Sequence, residues 1–145
     1  MSRAAPEMRS IAKRLIAFET PGNMSAEADH PPAFRATDKL RPHLSMLMGR
    51  GGFQALLARA LVLATAEASW LTAVQVLADG ELEGLGVAHA KLDAAEISEG
   101  EIVLLAQLLG LLVAFIGPAL TLRLITQMWP QLSFDDADFG EAANQ

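Results

Sequence analysis

The stretch IVLLAQLLGLLVAFIGPALTL, residues 102–122, contains no ionisable side chain and decides how the chain is read. A bilayer span needs about 20 apolar residues, so length alone admits a transmembrane helix, with the Arg123 end cytoplasmic and Glu99 and Glu101 at the other. Two features oppose that reading. Gly117-Pro118 divides the run into a helix of core length and a second helix, and the amide of Gln107 is costly if it faces lipid. Ala106, Gly110 and Ala114 form a stripe of small residues at helical spacing, matched by Ala60, Ala64 and Ala68. Such stripes let helix backbones approach closely, in lipid as in a soluble core. Amphipathic neighbours able to supply a polar outer layer tip the balance, and residues 102–116 are expected to form the buried central helix of a mainly α, compact helical bundle.

Working outward, Ser98-Glu99-Gly100-Glu101 has the form of a capping box and predicts a helix start at Ser98, after a short helical turn over Leu92–Ile97. Downstream, Leu120, Leu124, Ile125 and Met128 continue helical spacing until Pro130. Upstream, Phe53, Leu56, Leu57, Ala60, Leu61, Leu63 and Ala64 face nearly all round a helix that starts at about Phe53 and ends near Ser69. Before it, Phe34, Leu40, Leu44, Leu47 and Met48 mark another, in which Pro42 either begins the helix proper or kinks it. The glycine-rich turn Gly49-Arg50-Gly51-Gly52 separates the two. Between Trp70 and Leu85 the period shortens, and Asp79-Gly80 offers a tight turn. A small β-hairpin over residues 72–85 is preferred there to a helix running through Leu77 and capped by Gly80.

At the N-terminal end, Met8, Ile11, Ala12 and Leu15 alternate with Arg9, Lys13 and Arg14, a short amphipathic helix that suits either docking on the body of the domain or an anionic membrane surface. TPGNMSAEADHPP, residues 20–32, reads as a linker. Three regions follow: 1–32, helix and linker; 33–130, the helical core domain; and 131–145, an acidic tail expected to be flexible unless a partner or the basic N-terminal half holds it.

Hydrophobic residues make up 52% of the 145 and the mean hydropathy is +0.29, an apolar excess that a self-association interface would absorb. The absence of cysteine excludes disulfides, thiolate metal sites and cysteine nucleophiles, and fits a cytoplasmic home. No secretory signal is legible in the first residues. Net charge is −6, yet residues 1–50 carry eight Lys and Arg against five Asp and Glu, while 51–145 carry three against twelve. With a pI near 4.9, nucleic acid is not an expected partner.

Little chemistry can be built from this inventory. There is no GxSxG elbow, and His30, His43 and His89 lack the spacing of HExxH, so neither a catalytic residue nor a metal or other cofactor is assigned. Asp135, Asp136 and Asp138 read as solvated charge, and Asp138-Phe139-Gly140 matches a kinase triplet by coincidence, in a chain too short for a kinase. One constellation points to a ligand. Arg41, His43 and Arg50 stand beside Gly51 and Gly52, just before a helix N-terminus, where backbone amides and guanidiniums converge on an anion; a glycine-rich turn carrying solvated arginines has the same sequence. RPHLSMLMGRGGFQALLARAL, residues 41–61, and LLAQLLGLLVAFIGPALTLRL, residues 104–124, resemble blocks of an uncharacterised family of small helical bacterial proteins. That resemblance implies no activity. The expectation is a non-catalytic protein–protein interaction or regulatory domain in a bacterial signalling or multi-protein context, binding a protein partner or itself around residues 41–52. A membrane-inserting protein and a small anionic-ligand sensor are the alternatives.

Overall fold

In the computed structural model, residues 6–19, 32–76, 82–83, 94–130 and 132 are described. Their order is α1 (Pro6–Glu19), α2 (Pro32–Thr65), a 3-10 turn (Ser69–Ala73), β1 (Gln75–Val76), β2 (Leu82–Glu83), α3 (Ala94–Ile116) and α4 (Pro118–Met128). The uncharged run is the body of α3, and α1, α2 and α4 all pack on it. Residues 101–109 are buried without interruption. This is the helical bundle around a central apolar helix that the hydropathy pattern predicts. Each fully buried leucine of α3, such as Leu105 and Leu108, contributes about 1.5–3 kcal/mol by leaving water.

Helix α1 belongs to this core, with Met8, Ile11, Ala12, Leu15 and Ile16 buried against α2 and α3. Its charged face is used as well. Arg9 donates to Glu67 at 3.2 Å and to Glu99, and Gln107 donates to the second Glu67 oxygen at 2.9 Å. The amide that argued against a lipid-facing α3 thus has a partner inside the protein.

Helix α2 consists of two limbs, 32–48 and 50–65, joined at Gly49, whose φ of 81° and ψ of 158° lie outside the helical region. Gly117, with φ 92° and ψ 158°, makes the same kind of joint between α3 and α4. Side chains other than hydrogen are strongly disfavoured in this backbone region, so the glycines set where both reversals fall. Pro42 neither begins nor breaks its limb, since Gly49 alone leaves helical geometry inside α2. The turns around it are held by buried Ala36, Thr37, Leu40 and Leu44 and by Lys39, whose Nζ lies 5.3 Å from the ring centroids of both Phe18 and Trp129. The second limb begins at Arg50 rather than Phe53, because one glycine completes the reversal.

The expected helix start at Ser98 is displaced to Ala94, and no separate turn precedes Ser98 among the described residues. Trp70 explains the difference. Its indole Nε1 donates to the carbonyl of Glu96 at 3.1 Å and its ring lies over Gly100, stabilising the first turns of α3 from outside. The hairpin is present in minimal form: Gln75 pairs with Glu83 and Val76 with Leu82, antiparallel. Asp79-Gly80, the linker 20–31 and the acidic segment 133–145 lie outside the described residues.

Candidate functional site

Limb 32–48 and α4 run alongside each other in opposite directions, since Lys39 meets Trp129 just beyond α4 while Met46 and Leu47 share a surface with Leu120 in its first turns. Between them is a groove of about 450 Å³ lined by His43, Met46, Leu47, Leu120, Arg123, Leu124 and Gln127. Helical periodicity assembles both walls: His43, Met46 and Leu47 are at i, i+3 and i+4, and Leu120, Arg123, Leu124 and Gln127 at i, i+3, i+4 and i+7. Leu124 is buried and forms the floor. Met46 is 86% exposed and Leu47 55%, whereas side chains of this kind are usually covered. Among the described residues the groove lining contains no carboxylate and Arg123 makes no ion pair.

The five residues expected to form a ligand site are divided between two surfaces. Arg41 and Arg50 line a shallow depression of about 390 Å³ with Asp38, Pro42 and Ser45. Arg41 is bonded to Asp38 at 3.1 Å, so a carboxylate already stands where an anion would bind. His43 lies on the other side of the limb, in the groove, because two residues along a helix rotate a side chain by about 200°. Gly51 and Gly52 occupy the first turn of the second limb. The anion constellation is therefore not brought together as a unit.

A second depression, about 410 Å³, is lined by Glu67, Ala68, Ser69, Trp70, Ala95, Glu96 and Glu99 at the opposite end of α3. Of its carboxylates, Glu67 and Glu99 accept from Arg9, and Glu67 also from Gln107. Among the described residues no group of three His, Cys, Asp or Glu side chains is placed to hold a metal. No family model, curated protein or solved structure matches the chain, so the chemistry of these surfaces is read from their own geometry.

Sequence reasoning placed the site at residues 41–52 and missed the contribution of α4. The signal was present: LTLRLITQ, residues 120–127, puts Leu120, Arg123, Leu124 and Gln127 on one helical face.

Proposed function

We propose that this chain is a non-catalytic helical docking domain that binds a partner protein through the groove between limb 32–48 and α4, in a bacterial signalling or multi-protein setting in the cytoplasm. The observation that carries this reading is the concave apolar surface in which Met46 and Leu47 stand exposed opposite Leu120. Amphipathic helices and peptides with aromatic or aliphatic anchors bind in grooves of this kind, and a flexible methionine adapts to the anchor it meets. The basic and neutral rim of His43, Arg123 and Gln127 suits a partner segment carrying carboxylates beside its apolar residues.

The test compares wild type with Met46→Asp/Leu47→Asp as bait in a lysate of the host, with captured proteins identified by mass spectrometry. Because both side chains are exposed, the variant is expected to melt within about 1 kcal/mol of wild type. A defined partner retained by wild type and lost by the variant supports the reading. Equal capture by both, or capture by neither, overturns it.

A membrane reading is favoured by one observation. Helix α3 is long and apolar enough to cross a bilayer by length and composition, and beyond the fully buried Leu112 its last turn emerges from cover, with Phe115 65% exposed. Flotation with vesicles containing anionic lipid distinguishes the two. Recovery of wild type but not Phe115→Asp with the vesicles favours the membrane, and recovery of both in the unbound fraction removes that reading.

A further inference from the structure

Three observations bear on what fills the groove. The described chain leaves α4 at Trp129, and Leu132 N–H is bonded to the Trp129 carbonyl at 3.0 Å, so the chain emerges at the Lys39–Trp129 end of the groove. The residues that follow, SFDDADFGEAANQ (133–145), hold Asp135, Asp136, Asp138 and Glu141 with no Lys or Arg, and place Phe134 and Phe139 as the apolar residues large enough to anchor. The walls opposite have the complementary character. Among the described residues the groove is lined by Arg123 and His43 and by no carboxylate, and Lys39 stands at the end where the chain emerges, in a protein whose net charge is −6. Fields of opposite sign on two parts of one chain favour their encounter, and the tether raises the effective concentration.

Length permits the contact. Leu120 and Gln127 are about 10 Å apart along α4, at about 1.5 Å per residue. Seven residues of extended chain, from Leu132 to Phe139, reach about 23 Å, at about 3.3 Å per residue. The segment can therefore turn back beside α4 and set an aromatic ring among Met46, Leu47 and Leu120 while its aspartates face Arg123 and His43.

We infer that the groove's own ligand is the acidic, aromatic segment 133–145 of the same chain, docked in cis with Phe134 or Phe139 as its anchor. This rests on the groove being the docking surface. It adds that a partner must displace the segment, so binding at the groove is regulated by competition. Partners are then expected to present the same chemistry, an acidic stretch interrupted by an aromatic ring.

The experiment uses the full chain labelled with methyl-13C methionine and compares it with Phe134→Ala/Phe139→Ala by two-dimensional methyl NMR. Six methionines give six resolvable methyl groups, of which Met46 lines the groove and buried Met8 reports on the fold. The expected result is a ring-current displacement of the Met46 methyl in wild type that is lost in the double variant, independent of protein concentration, with Met8 unmoved. A Met46 resonance identical in both proteins overturns the inference while leaving the docking domain itself to be judged by the Met46→Asp/Leu47→Asp capture. A displacement that vanishes on dilution also overturns it, assigning the occupant to a second copy of the chain.

Discussion

Replacing Gly100 by alanine sets two effects of known size against each other. In an open helix interior the change gains about 1 kcal/mol, because glycine forfeits more backbone entropy on folding. In α3 the new Cβ would fall within 2.7 Å of Trp70 Nε1, and closer to the neighbouring ring carbons, distances that real Cβ atoms do not adopt. Either the helix shifts or the indole swings away. Overpacking costs about 1–3 kcal/mol, and losing the hydrogen bond from Trp70 Nε1 to the Glu96 carbonyl costs about 1 kcal/mol more. The steric and hydrogen-bond terms win, and Gly100→Ala is expected to lose about 1–3 kcal/mol, lowering Tm by about 3–9 °C at about 3 °C per kcal/mol for a domain of this size. Gly110→Ala is the internal control: its Cβ meets only Met8 Cγ at 4.0 Å, an ordinary contact, so helix propensity acts alone and Tm should rise. Thermal unfolding followed by far-UV circular dichroism measures both. Equal shifts for the two variants, or a stabilised Gly100→Ala, would refute the placement of Trp70. In a Trp70→Ala background the penalty at Gly100 should vanish.

Three further outcomes follow from the packing. Leu108→Ala is expected to cost about 2–5 kcal/mol in urea unfolding, while Phe115→Ala on the exposed end of the same helix stays within about 0.5 kcal/mol of wild type; equal costs would mean that α3 is not buried as described. Glu67→Ala removes acceptors from both Arg9 and the buried amide of Gln107 and should lose about 2 kcal/mol, more than Arg9→Ala, whose loss leaves the Gln107 bond in place; urea titration at low and high salt ranks the two, and the ion-pair part common to both should fade with salt while the Gln107 part persists. Gly49→Ala and Gly117→Ala should each cost about 1–3 kcal/mol by calorimetry, because both demand a positive φ from a residue with a Cβ.

The central helix was legible because its signal is local: an uncharged run bounded by Glu101 and Gly117-Pro118 has few ways to fold. The strand pair of the hairpin was legible for the same reason, from a change of period after Trp70, while Asp79-Gly80 lies outside the described residues. The start of α3 was not. Ser98 and Glu101 have the spacing of a capping box, but the helix is carried back to Ala94 by Trp70, which is some thirty residues away in the chain. The site was half legible. His43 was grouped with Arg41 and Arg50 around one anion, yet helical rotation separates it from Arg41 once the helix continues through Pro42, and it lines the groove instead. The opposite wall requires knowing that α4 folds back along limb 32–48, which depends on the two glycine reversals together and on no single stretch of sequence.

The two walls of the groove share a mechanical arrangement. Each meets its neighbouring helix at one glycine, Gly49 for limb 32–48 and Gly117 for α4, and away from those joints the two are tied where the Lys39 ammonium lies 5.3 Å from the rings of both Phe18 and Trp129. The spacing of the jaws is therefore governed at a distance. Lys39→Ala is expected to alter the spacing of the two walls without changing a single residue that lines them.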